Sequence, residues 1–254
     1  MGIDLQKASL WKRISAWLFD TILLGVLAVA MAFLISGLVG YDGYSQAVDD
    51  AYAAYEAEYG VTFDISQEEY QALSEDQRLA YDRAYEALIA DEAVLRNYNM
   101  VLNLSLLIIT LGILAAVAVL ELAVPLGLKN GQTLGKKIFG LSVMRVDGVM
   151  LPPVQLFIRS ILGKYTVEIM IPVYLVQMFL LGRLDLLGLV LLAALLLAQI
   201  ISLIVTRTNS ALHDLLAGTV VVDHSSQRIF RSTEDLIEYT KRAHAQEAAR
   251  QSYF

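Results

Sequence analysis

A chain of 254 residues would ordinarily form one or two soluble domains, but 57% hydrophobic residues, only 18% charged residues and a mean hydropathy of +0.56 place this one among membrane proteins. Having no cysteine, it has no disulfide framework, thiolate metal site or thiol nucleophile, and its histidines, His213, His224 and His244, lack the HExxH spacing of a zincin. A formal net charge of −7 argues against a nucleic-acid binder.

The first apolar run extends from Ile14 to about Leu38. At about 1.5 Å per residue it is long enough for a hydrocarbon core of about 30 Å, so residues 1–40 are read as the N-terminus and first transmembrane helix. Lys7, Lys12 and Arg13 precede it as bases precede a signal peptide. Its length, its Asp20 and the lack of an A-x-A-like end favour a retained span. Trp11 and Trp17 suit an interfacial aromatic belt.

Residues 41–98 are different in kind, with fourteen acids against Arg78, Arg83 and Arg96, a net of −11. Abundant alanine and glutamate favour helix. Tyr70, Leu73, Tyr81, Ala84, Tyr85 and Leu88 recur at three- and four-residue steps, and Ser66 with Glu69 fits a capping box. The segment is read as a helical hairpin: one helix around Gln46 to Tyr59, a break over Gly60 to Ile65, and a longer helix from Gln67 that runs towards the next span. Its tyrosines form either a small packed core or an aromatic ligand site.

Residues 99–125 hold the second span, Met100 to Val124, ended by Pro125 and Gly127. The connector 126–153 is glycine-rich and basic, with Lys129, Lys136, Lys137 and Arg145, and the weak alternation over Leu141 to Leu151 turns at Asp147-Gly148 as a short hairpin would. Its lysines Lys129, Lys136 and Lys137 either touch anionic headgroups or only enforce topology. Residues 154–205 supply the third and fourth spans. The third, Val154 to Leu181, carries Arg159, Lys164 and Glu168 in its first half and is either one tilted span or an interfacial stretch leading into a shorter one. The fourth is Leu184 to Val205. In residues 206–254 the apolar piece Leu212 to Val222 is too short to span, and a charged tail follows. Thr219 to Val222 reads as a strand able to pair with Leu141 to Val146.

Lysine and arginine flank the spans at the N-terminus, in the 126–153 connector and in the tail, whereas 41–98 is acidic. The positive-inside rule therefore puts both termini in the cytoplasm and the acidic hairpin outside a plasma membrane. The expected fold class is an all-α membrane protein with four transmembrane helices, an extracytoplasmic helical hairpin insertion and a small cytoplasmic β element.

Arg13 and Asp20 on the first span, the run from Gly131 to Val143 (GQTLGKKIFGLSV) and the run from Leu212 to Val222 (LHDLLAGTVVV) together resemble the RDD family of membrane proteins, named for one arginine and two aspartates. By resemblance these three are Arg13, Asp20 and Asp214. The likeness covers the chain except for 41–98 and the tail beyond Asp223, and it implies a multi-pass fold with a role proposed in transport, a few members being linked to sodium–proton exchange.

Positions 13 and 20 are two helical turns apart, so they share a face with about 10 Å between them along the axis. An aspartate at that depth needs a partner, and Arg159, a few residues beyond Pro153 on a helix entering from the same side, is the expected one. An Arg13–Asp214 contact would follow from the strand pairing. The residues expected to form an intramembrane charge network are thus Arg13, Asp20, Arg159 and Asp214, with Lys164, Glu168 and His213 auxiliary; the network either couples ions or fixes helix packing. His213 and Asp214 alone provide too few ligands for a metal, and no cofactor is implied. Two functions fit. One is a proton- or cation-coupled transporter acting as a homo-oligomer, because four spans scarcely enclose a path. The other is a non-transporting envelope scaffold or sensor that binds an external protein partner through 41–98. No nucleophile–base pair points to an enzyme.

Overall fold

Helix α1, Leu10–Val39, is apolar on nearly every face, as a helix solvated by lipid is. The structure, a computed structural model, describes residues 6, 8–183 and 186–251. Lys7, the start of the expected fourth span at Leu184 and the end of the tail at Phe254 lie outside the described residues. Among the described residues three helices are long and apolar enough to cross a membrane: Leu10–Val39, Glu92–Leu128 and Leu186–Val205. The segment Pro153–Leu180 does not meet that measure, since Arg159, Lys164 and Glu168 interrupt its apolar run.

Val29–Gly112 forms one compact unit and the described residues on either side of it form another. The first holds α2, Tyr41–Tyr59, α3, Gln67–Ala72, α4, Glu75–Ala90, and most of α5, Glu92–Val117. The capping box at Ser66 is present, with Ser66 Oγ accepting from the Glu69 N–H and Glu69 accepting from the Ser66 N–H. The single longer helix expected from Gln67 is broken twice. A second capping box, Ser74 with Gln77, ends α3 and starts α4, and Asp91 accepts from the Ala93 and Val94 N–H groups to start α5. The tyrosines pack on each other. Phe63 lies edge-on to Tyr52 and Tyr81 at 5.6 Å, Tyr70 meets Tyr81 at 5.1 Å, and Ala84 and Leu88 are fully buried beside them.

In the other unit the helical run of α5 continues through a π turn, Ala118–Ala123, into α6, Val124–Leu128. Pro125 and Gly127 therefore lie within this helical run, which continues to Leu128. The carbonyl that Pro125 has no N–H to reach, that of Glu121, accepts from the Ser160 hydroxyl at 2.6 Å, and the run stops at Lys129, which is left-handed at φ 59°. After α7, Leu134–Ile138, comes strand β1, Leu141–Arg145. The run from Pro153 is continuous: α8, Pro153–Phe157, a π-wound stretch Ile158–Met170, and α9, Ile171–Leu180. Then come α10, Leu186–Val205, α11, Leu212–Ala217, β2, Thr219–Asp223, and α12, Thr233–Gln251.

The expected strand pairing is present. β1 and β2 run antiparallel with Val143 opposite Val221 and Arg145 opposite Thr219. Beyond the Asp147-Gly148 turn only one residue pair, Met144 with Met150, bridges back, so no second strand forms there. The ribbon is buried on both faces. Val143 and Val221 pack with Leu141 and Ala16 on one side, and Met144, Val220 and Val222 pack together on the other. Period-two alternation sorts the two sets. This ties β2, and with it α11, to the first turns of α1.

Candidate functional site

Arg13, Ala16 and Asp20 recur at steps of three and four, so one stripe of α1 faces inward; Ala16 and Asp20 are buried and the Arg13 side chain nearly so. Asp20 accepts from the Thr133 hydroxyl at 2.5 Å and from the Gly135 N–H at 2.7 Å. Thr133 caps α7, and Gly135 lies in its first turn. Only glycine fits there, because a Cβ would stand 2.5 Å from the Ala16 carbonyl oxygen and 2.9 Å from the Asp20 carboxylate. The expected partner is corrected. Among the described residues Arg159 makes no bond to Asp20, and the cation within ion-pair distance of Asp20 is Lys136, whose Nζ is 3.8 Å away and donates to Thr133 Oγ1 at 3.2 Å.

Lys136 therefore turns inward, whereas Lys129 and Lys137 are exposed. Burial pushes the Lys136 ammonium down to about 8, with Glu121 opposing the shift and Arg159 and Lys164 adding to it.

Arg159 goes to Asp214. Its Nε donates to Asp214 Oδ1 at 3.1 Å, and its Nη2 lies 2.9 Å from the same oxygen as an ion pair and 3.0 Å from His213 Nε2. Asp214 further accepts from the Ala211 N–H and the Thr219 hydroxyl. The expected Arg13–Asp214 contact is present but long, at 3.8 Å, and Arg13 also donates to the Thr208 carbonyl at 2.7 Å. Burial works against the charge on Asp214, yet Arg159, then His213 and Arg13, hold its carboxyl well below the usual carboxylate range.

The auxiliary residues belong to the same region. Glu168 accepts from His213 twice, at Nδ1 (2.8 Å) and at the backbone N–H (3.0 Å). Lys164 pairs with Glu121, a buried acid on the π turn after α5 that sequence reasoning overlooked. A lone acid inside an apolar span was the available signal. Thr133 was missed too, and nothing in its spacing marks it.

The buried network is balanced in charge, Arg13, Lys136, Arg159 and Lys164 facing Asp20, Glu121, Glu168 and Asp214. It borders a cavity of about 380 Å³. Charged walls from Asp20, Arg159 and Glu168 meet apolar walls from Ile14, Trp17 and Leu203. A cavity of that volume with polar walls has room for water molecules or a small ion.

Neither a curated protein nor a solved structure matches the chain. The RDD family model matches residues 7–218, most of the chain, so the chain belongs to the RDD family.

Proposed function

We propose that the protein is a proton- or cation-coupled transporter in which Asp20 carries the coupling ion and the charged cavity is its cytoplasmic path. The reading includes four spans, with Pro153–Leu180 as the third. The polar half of that run is turned to partners whose charges offset the insertion penalty. It also places both termini in the cytoplasm of a plasma-membrane protein, and it requires a homo-oligomer, because four helices enclose little more than one such cavity. No catalytic step is assigned.

The observation that carries the reading is the contrast between two buried aspartates. Asp214 is neutralised by a guanidinium at hydrogen-bond distance, backed by a second arginine. Asp20 has two neutral donors and an ammonium only at 3.8 Å, and that ammonium is itself weakened by burial. An acid held by neutral donors in a cavity exchanges a proton for a cation far more readily than one locked to arginine.

The test is the purified chain in liposomes loaded with a pH-sensitive dye and holding an imposed pH gradient. Addition of sodium or potassium chloride collapses the gradient faster than in empty liposomes if the reading holds, and equal rates would overturn it. One observation favours a scaffold or sensor instead: Val29–Gly112 is a compact unit of its own with an acidic surface, as suits an external protein partner.

A further inference from the structure

His213 occupies the centre of the Arg159–Glu168–Asp214 cluster, and hydrogen-bond direction determines its protonation pattern. Arg159 Nη2 carries two hydrogens and no lone pair for accepting. Nη2 stands in ion-pair contact with Asp214 Oδ1 at 2.9 Å, and its hydrogen bond is to His213 Nε2 at 3.0 Å. Nε2 must therefore present its lone pair. The ring hydrogen is then on Nδ1, where it donates to Glu168 Oε2 at 2.8 Å, while Glu168 Oε1 takes the His213 backbone N–H.

The ring cannot escape this arrangement by rotating its backbone away. Gly163 lies directly against it, where a Cβ would come within 2.7 Å of His213 Cβ and 2.8 Å of its Cα. His213 also lines the cavity, which gives a proton access to it.

We propose that His213 is a proton-binding site whose second proton, taken at Nε2, displaces Arg159 and thereby loosens Arg13 from Asp214. The bond formed is Nε2–H, and the contact broken is the hydrogen bond from Arg159 Nη2 to Nε2. The proton comes from water in the cavity, and no electrons are transferred. The new N–H faces Asp214 Oδ1, now 3.8 Å away, and closes on it. Asp214 then serves three cations instead of two, and its longest contact, the 3.8 Å one to Arg13, is the one to yield.

Every packed element contributes to the balance. The Pro153–Leu180 run presents Arg159 and Lys164, which oppose the second proton, and Glu168, which favours it; α11 presents Asp214, which favours it; α1 presents Arg13, opposing, and Asp20; α7 presents Lys136. The inference rests on the transporter reading only for its consequence at the cytoplasmic mouth, since the proton site itself needs no flux.

The test is nuclear magnetic resonance of the full chain in detergent with ring-¹⁵N histidine, His213 being assigned by the signal lost in His213→Gln. At alkaline pH the wild type should show a protonated Nδ1 and a bare Nε2, the reverse of the tautomer that free imidazole side chains favour. On acidification Nε2 should gain its proton reversibly. Glu168→Gln keeps one acceptor, which serves Nδ1, gives up the acceptor for the His213 backbone N–H and removes the charge, so proton binding should weaken by about tenfold, read as a downward shift of about one pH unit. A protonated Nε2 at alkaline pH, or a Glu168→Gln titration identical to wild type, would overturn the proposal. Neither result depends on whether the liposome assay finds transport.

Discussion

In Val29–Gly112 the acids lie at the surface, Asp49, Asp50 and Glu86 among them, and the interior is filled by Phe63 and its ring of tyrosines. In the other unit Asp20, Glu121 and Asp214 are buried, and each faces a basic side chain. Similar residue types thus serve opposite ends. Exposed carboxylates keep a helical hairpin solvated and leave its stability to caps and aromatic packing. Buried carboxylates hold together elements distant in sequence and make every member of the network dependent on the others.

The contrast is tested most severely by removing one acid from each region. Asp214→Asn leaves Arg159 buried without its counter-charge, and a loss of about 3–5 kcal/mol is expected from detergent melting curves, by analogy with soluble ion pairs. Glu86→Gln should change stability by less than about 0.5 kcal/mol, as surface substitutions do. Equal effects would erase the distinction between the two regions.

Within the hairpin, the aromatic core should outweigh any of the acids. Phe63→Ala removes three ring–ring contacts. With each pair adding about 0.5–1.5 kcal/mol, a local loss of about 2 kcal/mol is expected, seen as faster amide exchange confined to α2 and α4. Unchanged exchange there would mean that the tyrosines hold a ligand rather than the fold.

A further effect concerns pH. Lys136 titrates near 8 in the folded chain against 10.5 as its ordinary value. Between those values the unfolded chain binds the extra proton, so stability rises with pH over that window and is flat below it. Lys136→Gln should remove the rise, as measured by melting temperature from pH 7 to 10. A rise that persists in the variant would place it on another group.

Much of this was legible in the chain itself, for local reasons. α1 follows from a long apolar run, the cap at Ser66 from the Ser-x-x-Glu spacing, and the β1–β2 ribbon, with the Arg13–Asp214 contact it brings, from the weak alternation over Leu141 to Val146 and the β-branched run Thr219 to Val222. The partner of Asp20 was not legible. Distance along a helix gives the depth of a side chain but not the direction in which it points, and Arg159 lies on a π-wound stretch whose side chains do not follow the α-helical projection. The donors that do reach Asp20 include a backbone N–H at Gly135, which carries no side-chain signal at all. The helix breaks at Ser74 and Asp91 were readable as caps, but the tyrosine periodicity running through Ser74 masked that one.

The central claim is that Asp20 is the exchangeable acid and Asp214 the fixed one. Asp20→Asn, nearly isosteric, keeps its amide oxygen as acceptor for the Gly135 N–H and turns its amide nitrogen to Thr133 Oγ1, a hydroxyl able to accept, and it leaves only a weakened ammonium nearby. Its cation-driven collapse of a pH gradient in liposomes, measured beside its melting temperature, is the most direct test. The account predicts a folded protein with that flux abolished; a folded Asp20→Asn protein with wild-type flux would contradict it.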